Sequence, residues 1–352
     1  MKSVLLLILL FLTGCSSVLY KKKKYRHFES KVIFNEKMSC RAVLIDKTKV
    51  WLGMDKGRIG VYDKLKDTLV IKTIAGVSNT TEFRSIASTK SAIFILAVGN
   101  PAILIKIDKN TLQETIVYRE DNEKVFYDSM QFADELNGFA MGDPILDCMA
   151  MIKTNDGGNT WQKITCNQLP KVVKGEAAFA TSNTNLIVKD KSIFMVSGGK
   201  KSRCFVSVDK GNSWQVYETP IIQGEAMTGI FTADFYDENI GFIAGGNYEN
   251  PSSNKQNKAI TFDGGKTWKL VANGSGFGYA SCIQFVPNSK GKSLICVGKT
   301  GIHYSNDFGE NWKLLDAVDD LYSIRFLNDS IAFAAGKNKI VKLILKSKEA
   351  IK

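Results

Sequence analysis

One eight-residue pattern occurs four times and limits what this chain can fold into. The copies are Thr154-Asn155-Asp156-Gly157-Gly158-Asn159-Thr160-Trp161, Ser207-Val208-Asp209-Lys210-Gly211-Asn212-Ser213-Trp214, Thr261-Phe262-Asp263-Gly264-Gly265-Lys266-Thr267-Trp268 and Ser305-Asn306-Asp307-Phe308-Gly309-Glu310-Asn311-Trp312. Four of the five tryptophans lie in them, and the aspartates fall 53, 54 and 44 residues apart. A period of that size signals a propeller or a solenoid array. An Asp that opens a tight turn accepts hydrogen bonds from backbone N–H groups two residues on, and the following Gly takes a positive φ without strain. Such a turn between alternating apolar runs reads as a hairpin. The Trp that restarts the outgoing strand supplies a large apolar wedge. Nothing in the pattern requires chemistry.

The pattern resembles the Asp-box, or bacterial neuraminidase repeat. The resemblance implies a β-propeller in which each box closes a hairpin at the outer edge of a blade. It implies no single activity, because sialidases, other glycosidases, sorting receptors and photosystem assembly factors share the box.

From about residue 28 the chain reads as strand after strand, with Val, Ile, Phe and Thr alternating with polar residues. So many short, evenly spaced strands exceed one sandwich and suit a propeller. A second repeat supports this: seven small apolar runs that end in Gly, at 50–53, 96–99, 139–142, 194–198, 241–245, 294–298 and 332–336. Small residues suit strands near the axis, where blades converge. First strands are expected ahead of them, at 41–45, 83–87, 127–132, 177–180, 229–235, 280–285 and 322–327. The expected fold is therefore all-β: a seven-bladed β-propeller over residues 28–346, with a tail at 347–352. Blades one and two carry only degenerate boxes, Tyr62-Asp63-Lys64 and Ile107-Asp108-Lys109. The seventh ends with its third strand at 340–345. Residues 31–34 are expected to return as its outer strand, closing the ring and removing an exposed edge.

The first 27 residues read as targeting. Residues 1–14 place Lys2 before a short apolar run, too short to span a bilayer and typical of a signal peptide. Leu12-Thr13-Gly14-Cys15 resembles a bacterial lipobox, which implies that Cys15 becomes the lipidated mature N-terminus. Residues 15–27 form a basic tether with Lys21 to Lys24 and Arg26, suited to anionic lipid. By resemblance to enterobacterial sorting, Ser17 after the Cys places the anchor at the periplasmic face of the outer membrane. Six of the excess positive charges, out of a net +12, come from Lys2, this run and Arg26, so the body is only mildly basic. That gives no argument for nucleic acid.

The remaining cysteines have no metal-ligand spacing and no nearby His, so neither a metal nor a disulfide is assigned. No dinucleotide, haem or flavin motif is present, and no cofactor is expected. With only His27 and His303, histidine catalysis is not expected.

Segments such as Phe126-Tyr127-Asp128-Ser129-Met130-Gln131-Phe132, Asn137-Gly138-Phe139-Ala140-Met141-Gly142-Asp143-Pro144 and Gly245-Gly246-Asn247-Tyr248 are similar to bacterial propellers related to photosystem II stability/assembly factors. That resemblance spans most of residues 40–345 and implies a non-enzymatic envelope propeller that binds a protein or peptide; a monomer is expected. The alternative is a glycan-binding or glycoside-cleaving propeller. A sialidase would need an arginine triad, a Tyr/Glu pair and an Asp. Phe83-Arg84-Ser85-Ile86 lacks the Ile-Pro that should follow such an Arg. Any site should lie at one channel mouth, where first-strand starts meet the loops after the Gly-ended runs. That gathers Arg41, Arg84, Tyr127, Asp128, Glu176 and Tyr322 with Asp55, Asn100, Asp143, Asn247 and Lys299. The box residues Asp156, Trp161, Asp209, Trp214, Asp263, Trp268, Asp307 and Trp312 are expected to hold the frame.

Overall fold

A computed structural model describes residues 25–347; the signal segment, Cys15 and the lysine run lie outside them. Seven antiparallel sheets are arranged as the blades of a seven-bladed β-propeller. The strands nearest the axis are Cys40–Asp46, Phe83–Ser88, Tyr127–Phe132, Leu186–Lys189, Thr228–Phe235, Ala280–Phe285 and Leu321–Phe326. Each Gly-ended run lies in or beside the second strand. Two two-residue strands, Glu176–Ala177 and Gly198–Gly199, extend the fifth sheet to six.

The seventh blade is closed by the N-terminus. Tyr25–Phe34 forms its outer strand and pairs antiparallel with Ile340–Ser347, Val32 facing Val341 and Phe28 facing Leu345. Both strands run longer than the expected 31–34 and 340–345. The chain then crosses to the first blade, and Met38 and Asn338 exchange hydrogen bonds through their backbone and the Asn338 side chain.

Alternation within each strand sends side chains to both faces of a blade, so the core divides into seven apolar clusters, one per seam. The four boxes close the hairpins between third and fourth strands of blades three to six. In each, one aspartate oxygen accepts backbone N–H groups while the other takes a hydroxyl or amide four residues on, as with Thr160 N–H and hydroxyl on Asp156. Burial works against the Asp156 charge, but the Thr160, Thr154 and Asn159 hydrogen bonds win and hold its carboxyl at about 2. Asp209 is held at about 2 chiefly by Ser213. The tryptophans meet aromatic rings at the seams: Trp161 against Phe94 and Phe132, Trp268 against Phe235, Trp312 against Phe242 and Phe277. Asp63 and Asp108 still accept two backbone N–H groups each, without a Trp behind them.

One pairing left open by the sequence is settled, and one expectation fails. Cys148 and Cys166 form a disulfide, Cα atoms 5.5 Å apart, stapling the third blade to the long connection into the fourth. The fourth inner strand is Leu186–Lys189 and not 177–180. The stretch before it, Thr181-Ser182-Asn183-Thr184-Asn185, is buried without being a strand. It lies across the channel. Asn183 donates from Nδ2 to the Ile86 carbonyl (2.8 Å) in blade two and accepts the Met130 N–H (2.8 Å) in blade three. Thr184 accepts the Ala233 N–H (3.0 Å) in blade five. Arg325 in blade seven donates to the Ser182 and Asn183 carbonyls, at 3.0 and 3.1 Å. The physical cause is the bare inner edge of each sheet. Backbone groups there must be paired or hydrated, and a short polar segment with one left-handed Asn (φ +60°) supplies both donors and acceptors.

Deleting residues 25–34 should lower the melting temperature by on the order of 10 °C; an unchanged value would contradict closure by that strand. Asn183→Ala strands two buried backbone groups and should cost about 3 kcal/mol in chemical denaturation; a loss under about 0.5 kcal/mol would show that the crossing segment ties nothing together.

Candidate functional site

Six of the seven blades carry a β-bulge near the start of the inner strand. The residues left out of register are Arg41, Arg84, Asp128, Phe231, Ser281 and Tyr322. A bulge re-aims its side chain and is often found next to functional sites. The seventh position, in blade four, is taken by the crossing segment. The Gly that ends a second strand is bound up with this geometry. A Cβ on Gly142 would fall on the Phe126 carbonyl oxygen, and one on Gly336 on the Asp320 carbonyl oxygen. The Gly-ended runs and the starts of the inner strands thus meet at one mouth.

Arginines and aromatic rings line that mouth. The Arg41 guanidinium lies 4.0 Å over the Tyr322 ring. Burial first, and then the neighbouring Arg84 charge, lower the Arg41 pKa, while Tyr322, Tyr279 and Glu82 offset part of this. Arg84 is held by two hydrogen bonds to Glu82 Oε2, at 2.8 and 2.6 Å, and its guanidinium sits 5.7 Å over Phe126. An aromatic wall continues round: Phe179 stacks on Phe231 (3.9 Å), Phe231 meets Tyr279 (4.8 Å), and Tyr279 meets the exposed Tyr248 (5.3 Å). Lys299 lies 5.0 Å over Tyr248.

Behind this wall sit two carboxyls. Asp128 is 0 % exposed and neither of its oxygens has a hydrogen-bond partner. Burial raises its pKa well above the carboxylate range; Asp143 adds to this and Arg84 opposes it. Asp143 is raised to about 7, mainly by burial, against one hydrogen bond from the Ala178 N–H at 2.8 Å. With its pKa at about 7, Asp143 is about half ionised at neutral pH.

Three of the expected mouth residues are committed to other contacts. Tyr127 is buried in the seam between blades two and three, its hydroxyl on Glu120 (2.9 Å) and its ring edge-on to Tyr118. Glu176 is buried and used up by Arg203 (Nε, 3.0 Å), the Ser197 hydroxyl (2.6 Å) and the Val173 N–H (3.0 Å). Asn247 caps its own turn through the Glu249 and Asn250 N–H groups. Sequence reasoning missed Phe179, Phe231, Tyr248 and Tyr279. A signal for Phe231 was present: each bulged residue precedes a small one, Ala42, Ser85, Ser129, Thr232, Cys282 or Ser323. Among the described residues, no three His, Cys, Asp or Glu side chains are grouped to hold a metal.

Comparison with known proteins agrees with the fold. The family model for the BNR/Asp-box repeat matches residues 259–270, around the third box. No curated protein sequence matches the chain. A structure of YCF48 bound to D1 peptide is similar at a TM-score of 0.66 and 14 % identity, covering 92 % of this chain and 98 % of that one. YCF48 from Cyanidioschyzon merolae gives 0.66 at 10 % identity, covering 89 % and 98 %. U3-55K gives 0.65 at 10 % identity, covering 90 % and 98 %. At such identities the likeness is one of fold. The chain is a seven-bladed β-propeller that carries BNR/Asp-box repeats and has the fold of YCF48.

Proposed function

We propose that this propeller is a non-catalytic binding scaffold that holds a protein or peptide at the arginine–aromatic mouth. One observation carries the reading. Arg41 and Arg84 are close enough to repel each other, and among the described residues Glu82 is the ion-pair partner Arg84 has, with ring faces beside both. Two neighbouring guanidiniums flanked by aromatic rings are suited to an acidic group on a partner, and Arg with Tyr is the usual make-up of interface hot spots. The likeness to YCF48, which has been seen with a D1 peptide, fits peptide binding. A glycosidase reading is less well supported: both Asp128 oxygens are sealed from solvent, so they cannot reach a glycosidic bond.

The location is part of the same proposal and rests on the sequence of residues 1–27. Cys15 is the anchor, and the propeller hangs at the periplasmic face of the outer membrane. In the seventh blade Tyr25 and Ser347 pair at one end of the outer strands, while Phe34 pairs with Ile340 at the other. Ile340 follows Gly336, which lies at the mouth. Tyr25 therefore sits at the face opposite the mouth, and an anchor there leaves the arginines facing away from the lipid.

Affinity capture from the native membranes tests the binding reading. Replacing Arg41 and Arg84 together with Ala should reduce recovery of the captured partner at least tenfold, with the melting curve still cooperative. A double variant that keeps every partner would remove these two residues from the site.

A further inference from the structure

The mouth has an acidic half that the arginines do not use. At the end of the second strand of blade three, a cavity of about 430 Å³ opens to solvent, lined by Asp143, Pro144, Leu146, Val173, Lys174 and Glu176 among others. That size lies within the range of small-ligand pockets. Most charges around it are already matched. Asp147 is ion-paired with Lys171 (2.5 Å), and Glu176 with Arg203. Lys174 is the remaining cation on the wall. Asp143 is different: it gives one oxygen to the Ala178 N–H and has no ion pair among the described residues. Asp128 stands behind it with two unpartnered oxygens. Buried polar atoms are rarely left without a partner, and a carboxyl pair out of water gains most from a cation that desolvates alongside it.

We propose that this cavity is a cation-accepting subsite, which takes an ammonium or guanidinium side chain of the bound peptide against Asp143. The proposal rests on the peptide-binding reading and deepens it. The mouth then reads two features of one partner, an acidic group at Arg41 and Arg84 and a basic side chain at Asp143. Leu146 and Val173, both exposed at the cavity, are placed to cover the aliphatic stem of such a side chain. The pH dependence has a definite sign. Asp143 is raised to about 7, so it is mostly ionised at pH 8 and mostly protonated at pH 6. A cation should therefore bind about tenfold more weakly at pH 6 than at pH 8. The groups that face Asp143 are Asp128 on its own blade, Glu176 with Arg203, Asp147 with Lys171, and Lys174; Arg84 acts on it through Asp128.

The direct probe is n-butylammonium chloride titrated into the full-length, isotopically labelled protein, followed at the Ala178 amide. A saturable shift is expected at pH 8, about tenfold weaker in affinity at pH 6. It should be absent with n-butanol, absent in Asp143→Asn, and unchanged in Asp147→Asn. No saturable shift at pH 8, an equal shift with n-butanol, or a shift that survives in Asp143→Asn would each overturn the subsite. The Arg41→Ala, Arg84→Ala double variant should keep the shift. Loss of butylammonium binding in the native protein therefore counts against the acidic half alone, and loss of partner capture in the double variant concerns the arginine half alone.

Discussion

Seven sheets that converge on an axis leave seven inner edges of unpaired backbone, and much of this structure answers that constraint. A buried N–H or C=O without a partner costs about 1–3 kcal/mol, so an unhydrated channel would be expensive. In this chain the fourth blade begins late, and the residues before it are spent on the axis. Asn183 bridges blades two and three, Thr184 reaches blade five, and Arg325 reaches back from blade seven. The same crossing separates the two ends of the channel. On one side lies a cavity of about 300 Å³ lined by residues such as Val43, Ile86, Gln131 and Arg325. On the other lies the bulged mouth.

The bulges translate closure into a site. Six of the seven inner strands gain one residue near their start, and the extra side chain leaves the seam pattern. In blades three, five, six and seven the glycine of the neighbouring strand makes room for a carbonyl at or just before the start of the inner strand. Repetition supplies the positions, and divergence between blades supplies the chemistry: two arginines, a carboxyl, a phenylalanine, a serine and a tyrosine. The boxes have the opposite character. They repeat their hydrogen bonds from blade to blade, at the outer end of the hairpins, and their tryptophans fill seams.

What the sequence revealed follows the range of each interaction. The boxes and the Gly-ended runs are local, and from them the blade number and the closing strand were legible. Thr181 to Asn185 was not, because the Asn183 side chain is paired with Ile86 and Met130 and the segment's carbonyls with Ala233 and Arg325, some of them about a hundred residues or more away. A stretch satisfied by such distant partners has no local periodicity to betray it, and 177–180 took its place as the expected strand. The Cys148–Cys166 disulfide was hidden for the same reason: its spacing matches no local motif, and only the return of the connection past blade three brings the two together. At the mouth, Arg41, Arg84 and Tyr322 could be placed by counting strand starts. Glu176 could not be excluded, because its partner Arg203 comes from a different strand. Phe179 reaches the aromatic wall only through the crossing segment.

The claim on which this account turns is that the bulged mouth, and not the box-bearing rim, meets the partner. A photo-crosslinking residue placed at Tyr322, and separately at Phe262 on the exposed rim, tests it most directly. In native membranes the account predicts a specific adduct from position 322 that is lost in the Arg41, Arg84 double variant, and none from position 262. Adducts to the same partner from position 262 alone would contradict it.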